Sequence, residues 1–233
     1  MKESLKKPSL FHFVTEGIRA IFEWCTSFLY RHKFSDKPKG NGQAVLVVPG
    51  LLSSDLNTWP LRKMLEKMDY SVYGWEMGMN LANLDDLTEL DTKLKAIHHK
   101  HHHKVIIIGW SLGGIYTRKL ALENISLVKQ IITLGSPFRS LHAPGPAMTT
   151  LKLLYRSNEI PIAEEHKGWL IKCQSPLPIK TTSIYSTIDG IVPWNLCLES
   201  VEDELHHNIK VKSSHNGMVH NLQVLKAIVG QLH

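Results

Sequence analysis

A chain of 233 residues, 43% hydrophobic and 21% charged, is long enough for one α/β domain with a large core. Its net charge of +6 comes from lysines spread along the chain, with no basic block interleaved with aromatics, so no nucleic-acid partner is expected; the excess suits approach to anionic surfaces or solubility alone. Three cysteines far apart, Cys25, Cys173 and Cys197, argue against a disulfide framework and for a reducing compartment.

Lys2, Lys6 and Lys7 precede an apolar-rich stretch, 10–30, that Glu16, Arg19 and Glu23 interrupt. These charges make it a poor signal peptide and a poor membrane span, which favours a cytoplasmic location or the cytoplasmic face of a membrane. At helical period Phe11, Val14, Ile18, Ile21, Cys25 and Phe28 share one face, widened by Phe22 and Leu29. His12, Thr15, Glu16, Arg19, Glu23 and Ser27 share the other. Two readings fit this amphipathic helix: packing on the domain's own surface, or peripheral, in-plane contact with a membrane through residues 10–30. The polar run 35–42, with Pro and two Gly, reads as a linker, so the chain divides into 1–40 and a domain over 41–233.

Ala44–Val48 is a continuous apolar run, as in a strand buried on both faces of a mostly parallel sheet, and it ends in Pro49-Gly50-Leu51-Leu52. Helical spacing over 56–68, a strand over 70–75 and a helical stripe over 84–98 follow. This strand–helix alternation is a doubly wound α/β pattern. The run His98-His99-Lys100-His101-His102-His103-Lys104 is rich in imidazole, but adjacent histidines on one segment do not converge on one ion. It reads as a solvated basic cap, and no metal site is expected.

Val105–Ile108 then leads into Gly109-Trp110-Ser111-Leu112-Gly113-Gly114 and a helix-compatible segment over 115–122. A strand, Gly-x-Ser-x-Gly and a helix in succession form a nucleophile elbow, in which a sharp turn lifts the serine out of strained backbone. Val128–Leu134 is another buried strand. From Phe138 to Lys180 no strand pattern occurs, a gap that reads as a lid or as extra helices, including a helical run over 148–155. Thr182–Ile188 and Ile209–Lys212 are the last strands, followed by Asp189-Gly190 and by Ser214-His215-Asn216.

Ser111, Asp189 and His215 therefore each follow a strand, in the order Ser, Asp, His. A serine hydroxyl is nearly inert at neutral pH, so attack on a carbonyl requires a base such as His215, with Asp189 holding its tautomer. The backbone N–H groups of Leu51 and Leu112 are placed to hold a developing oxyanion, worth about 3–4 kcal/mol per donor. Leu52, Trp110 and Trp194 are candidates to touch the substrate. His220 is a rival base, expected one turn into the terminal helix; Asp203 and Glu199 are rival acids within an acidic, solvent-like run.

Val45–Leu52, Gly109–Gly114, Leu134–Pro137, Ser186–Trp194 and Ser214–Met218 together resemble the α/β-hydrolase superfamily, and within it its small lipase- and esterase-like members. The resemblance spans residue 44 to the C-terminus, and departs from many family lipases in having Pro49-Gly50 where they carry His-Gly. It implies an α/β-hydrolase fold with a short lid or cap over 138–180 and no cofactor. It also implies a serine hydrolase of carboxylic esters acting on a small-molecule or lipid ester with an apolar acyl chain. An acyltransferase or thioesterase on the same acyl-enzyme, or a non-catalytic binding protein, shares the fold.

Overall fold

In the computed structural model, residues 7–30, 34, 38–83, 85–140, 146, 149 and 167–232 are described. Six strands, β1 (Ala44–Val48), β2 (Ser71–Tyr73), β3 (Val105–Trp110), β4 (Val128–Leu134), β5 (Lys180–Ser186) and β6 (His206–Val211), form one sheet in the order β2-β1-β3-β4-β5-β6. Every pairing is parallel, so all six carboxyl ends lie along one edge. The chain reverses its direction across the sheet between β1 and β3. In open α/β sheets that reversal opens a crevice beyond the strand ends, where ligands bind.

Strands buried on both faces need apolar residues at consecutive positions, and β1 and β3 are buried throughout. Alternate residues feed two cores. Leu46, Val48 and Ile107 meet α3 (Asp85–His101) and α4 (Leu112–Glu123) through Leu90, Leu94, Ile115 and Tyr116. Val45, Val47, Ile106 and Ile108 meet α2 (Asp55–Lys67) and α6 (Leu222–Gln231) through Leu61, Leu65, Val224 and Ile228. The start of α2 is fixed by a capping box between Ser54 and Asn57, and Asn221 caps α6.

The 138–180 segment is described only in part. The helical run expected over 148–155 and most of the expected lid lie outside the described residues; α5 (Lys167–Gln174) returns the chain to the sheet. Its anchor is Arg118 on α4, which is fully buried and forms a bidentate pair with the equally buried Glu199. The remaining guanidinium donors reach the carbonyls of Cys173 (2.6 Å) and Ser175 (2.8 Å), and the guanidinium lies 3.9 Å from the Phe138 ring centre. Both charges are satisfied, so both are tolerated inside the core. Glu199 is therefore a structural counter-ion rather than a solvent-facing acid.

The N-terminal helix α1 (Leu10–Tyr30) packs on the domain through its polar face. Glu16 and Ser27 are buried, whereas Phe11, Val14, Ile18, Ile21, Phe22 and Leu29 are 65–74% exposed. Of the two readings of this helix, the structure has it packed on the domain's own surface, with its polar side inward. Among the described residues no helix is long and apolar enough to cross a membrane. The histidine run closes α3 and the turn after it, and among the described residues no cluster of metal-ligating side chains occurs.

Replacing Glu199 with Ala leaves the Arg118 charge buried and unpaired, and is expected to lower unfolding free energy by about 3–5 kcal/mol. Urea denaturation of both proteins measures this; a loss below about 1 kcal/mol would mean that the pair does not anchor α5.

Candidate active site

Ser111 lies at the end of β3, with φ 54° and ψ −120°, a conformation that a non-glycine residue adopts only when its surroundings enforce it. Those surroundings are close-packed. A Cβ on Gly109 would sit 2.5 Å from the Gly113 carbonyl, and one on Gly113 would sit 2.5 Å from the Pro49 carbonyl. Only bare backbone lets α4 start this near to β1. The Ser111 N–H donates to the Leu134 carbonyl (2.9 Å), which ties the turn to β4.

The loops after β5 and β6 bring two more side chains to the same point. Ser111 Oγ is 2.9 Å from His215 Nε2, and His215 Nδ1 is 2.7 Å from Asp189 Oδ2. The other Asp189 oxygen accepts from the N–H groups of Ile191 (2.8 Å) and Val192 (2.9 Å), so the carboxylate is held from both sides. Because a carboxylate only accepts, Nδ1 carries the imidazole proton, and Nε2 is left to accept from the serine hydroxyl. His215 and Asp189 are both buried. Gly135, at φ 54°, lies beneath them: a Cβ there would come within 3.3 Å of His215 Nδ1 and 3.4 Å of Asp189 Oδ2.

The rivals are engaged elsewhere. His220 precedes α6 rather than lying within it; its Nε2 is 3.3 Å from the Ala20 carbonyl. Asp203 holds His206 Nδ1 at 2.8 Å, and Glu199 holds Arg118.

The Pro49–Leu52 loop is braced by Asn80, a buried residue that sequence reasoning passed over. Asn80 donates from its side chain to the Pro49 carbonyl (2.9 Å) and accepts the Leu52 N–H at its backbone carbonyl (2.8 Å). A cleft of about 250 Å³ is lined by Gly50, Leu51, Leu52, Trp110, Ser111 and His215 among others. Among the described residues, the N–H groups of Leu51 and Leu112 make no hydrogen bond within the protein, unlike that of Leu52. Trp110 also donates its indole N–H to the His215 carbonyl (3.1 Å). Trp194 is not among the residues lining this cleft; its ring stacks on Tyr185 with centres 5.7 Å apart.

Two further side chains reach the site from α1, where helical periodicity marks them only as a polar face. Glu16 accepts the N–H of Gly190 (3.1 Å), next to Asp189, and the N–H of Asn216 (3.0 Å), next to His215. One carboxylate thus bridges both loops. Arg19 fixes it (2.8 Å) and donates to the Ile188 carbonyl (3.0 Å). One turn on, Glu23 accepts from the N–H (3.0 Å) and hydroxyl (2.5 Å) of Ser214 and from the side chain of Asn221 (2.9 Å).

These charges act on the imidazole. Burial alone disfavours its charged form, but the charge of Asp189, its hydrogen bond and the charge of Glu16 together lift the His215 pKa above the ordinary histidine value. Burial, reinforced by Asp189, also lifts Glu16 above the usual carboxylate range, against the opposing pull of the Asn216 N–H, His215 and Arg19.

No protein-family model matches the chain, and no curated protein matches it in sequence. Solved structures do. Aspergillus fumigatus lipase B aligns at 18% identity and a TM-score of 0.59, over 83% of this chain, which spans only 54% of that lipase. Bacillus licheniformis lipase BlEst2 in its mature form aligns at 17% identity and a TM-score of 0.59, over 84% of this chain and 94% of its own. Paleococcus ferrophilus monoacylglycerol lipase aligns at 13% identity and a TM-score of 0.60, over 84% and 96%. With the parallel six-stranded sheet flanked by helices, these likenesses show the α/β-hydrolase fold.

If Glu16 acts on His215 through its charge, Glu16→Gln lowers the His215 titration midpoint, and Asp189→Asn lowers it further. NMR titration of the imidazole reads both: the wild-type midpoint is expected above 6.5, and an unmoved midpoint in Glu16→Gln would remove Glu16 from the site's electrostatics.

Proposed function

We propose that this chain is a serine hydrolase that cleaves carboxylic esters with apolar acyl chains through an acyl-enzyme on Ser111. The observation that carries the reading is the continuous hydrogen-bonded array Ser111–His215–Asp189, at 2.9 and 2.7 Å, opening on a cleft at the sheet's reversal point. Its members have the donor and acceptor roles that such chemistry requires.

In this mechanism His215 Nε2 takes the Ser111 proton as Oγ attacks the ester carbonyl carbon. The carbonyl π electrons move onto its oxygen, which the N–H groups of Leu51 and Leu112 receive. Asp189 and Glu16 stabilise the imidazolium. Collapse of the tetrahedral species breaks the bond to the alkoxy oxygen, which leaves as an alcohol with the proton from His215. Water, deprotonated by the same Nε2, then cleaves the acyl–Ser111 bond and returns the carboxylic acid. Leu52 and Trp110, at the cleft wall, would contact an apolar acyl chain. That the fold is shared with proteins named lipases supports a lipid-like ester as substrate.

Hydrolysis of p-nitrophenyl esters from acetate to palmitate tests the reading, with Ser111→Ala alongside. Turnover is expected to fall at least about a thousandfold in the mutant, and a fluorophosphonate is expected to label Ser111 in the wild type. Turnover in the wild type is expected to decline as pH falls through the midpoint of His215, because only the neutral imidazole accepts the proton. No turnover and no labelling at Ser111 would leave a binding protein on this fold. Deletion of residues 1–40 removes Glu16 and Glu23 from the His215 and Asp189 loops, so it is expected to cut turnover even on soluble esters.

A further inference from the structure

The helix α1 carries its charges on the side pressed to the domain, and presents an uncharged apolar side outward for about 30 Å. Phe11, Val14, Ile18 and Phe22 lie at three- and four-residue steps along it, with Leu29 seven residues further on, and all are 69–74% exposed. A helix that covers a soluble domain normally does the opposite. The inversion is held in place, because Glu16, Arg19 and Glu23 are all consumed by hydrogen bonds to the loops of Asp189 and His215.

Two observations identify what covers this side. The first is its continuity with the site. A cleft of about 330 Å³ between α1 and α2, lined by Ala20, Ile21, Trp24, Leu56 and Val219, shares Asn57, Trp110 and Asn216 with the cleft at Ser111. Ile21 and Trp24 belong both to that cleft and to the exposed side of α1, and Leu56 at the opposite wall is 85% exposed. The two clefts are therefore contiguous, from the outside of α1 to the serine, with Trp110 as their apolar junction between Asn57 and Asn216. The second is charge. The chain carries a net +6, and lysines and an arginine flank the helix in sequence at Lys2, Lys6, Lys7, Arg31 and Lys33.

We infer that the outward side of α1 beds into the headgroup–acyl boundary of an anionic bilayer, and that the cleft between α1 and α2 is the path by which a lipid acyl chain reaches Ser111. The docking stands on the helix alone; the path rests on the ester-hydrolase reading. Since α1 also bridges the Asp189 and His215 loops, the bilayer-facing element and the element that positions the base are one helix.

The test is co-sedimentation of the full chain with phosphatidylcholine vesicles, with and without phosphatidylglycerol, using the wild type, Ser111→Ala and the double variant Ile18→Asp/Phe22→Asp. The wild type and Ser111→Ala are expected to bind the anionic vesicles alike and the neutral ones more weakly, with binding falling at least about tenfold in the double variant. Unchanged thermal unfolding of the double variant would show that the loss is not misfolding. Equal recovery of wild type and double variant with the vesicles would overturn the docking. So would a wild-type dimer in solution that the double variant converts to a monomer, which assigns the face to a second copy of the chain. Loss of Ser111-dependent ester turnover with vesicle binding intact would remove the acyl path and the hydrolase reading while leaving the docking. For the path itself, Leu56→Arg is expected to lower turnover on long-chain esters several-fold more than on acetate; an equal effect on both would overturn it.

Discussion

Ser111 sits in backbone that an L-residue does not choose, and the folds around it can be understood as what keeps it there. Left-handed φ in a non-glycine residue costs on the order of 1–3 kcal/mol, and persists only if the neighbouring structure leaves no alternative. Here the constraint comes from both sides. The paired β3 strand delivers the chain to the turn, and α4 must start within reach of the ends of β1 and β4 for its apolar side to meet the sheet. The hydrogen bond from Ser111 N–H to Leu134 closes the turn. Relaxing φ at Ser111 would rotate α4 off the sheet and expose Ile115, Tyr116 and Leu120, which are almost wholly buried. The strain is small beside that loss.

A sheet with all six carboxyl ends on one edge concentrates its loops there, and it also concentrates unmet backbone donors. The turns after β5 and β6 present the N–H groups of Gly190, Ser214 and Asn216 with no strand or helix to receive them. The domain core supplies no acceptor; α1 does, with Glu16 and Glu23. This accounts for the inverted seating of the helix. Buried unsatisfied donors cost about 1–3 kcal/mol each, and docking the polar side satisfies several at once, while the exposed side chains merely forgo burial. The packing is close enough that a Cβ at Gly190 would strike the His12 carbonyl.

What the residues disclosed follows the range of each signal. Strands buried on both faces are written as apolar runs, and the elbow as a local pattern of glycines about a serine, so β1, β3, α4 and Ser111 were all legible. Asp189 and His215 were named because a serine nucleophile asks for an acid and a base after later strands, and the structure brings both side chains to Ser111. Periodicity also showed the two sides of α1. It did not show which side turns inward, because that depends on donors in loops about 175–200 residues further along. Asn80 left no signal for the same reason: its role exists only in contact. The Arg118–Glu199 pair was hidden further, since an acidic run reads as a solvated surface until its buried partner is known.

The electrostatics of the site carry a cost that explains its composition. In the proposed mechanism serine attack creates an imidazolium, so a carboxylate beside His215 would lower the barrier, and a second one behind it would lower the barrier again. Each also holds the proton on the resting imidazole more firmly, which shrinks the fraction of enzyme with a free base as pH falls. Burial of His215 opposes this, because a desolvated imidazole resists charge. The arrangement therefore sets two carboxylates against one burial. Glu16 moderates its own part: desolvation and the nearby Asp189 favour its protonation, so its charge is removed more easily than that of an ordinary carboxylate. An acid placed on a separate helix, partly paid in hydrogen bonds to both loops, gives the fold a way to hold the loops that does not depend on full charge at that position. A neutral Glu16 still accepts from one of the two loops through its carbonyl oxygen, whereas a neutral Asp189 would lose the charge that stabilises the imidazolium.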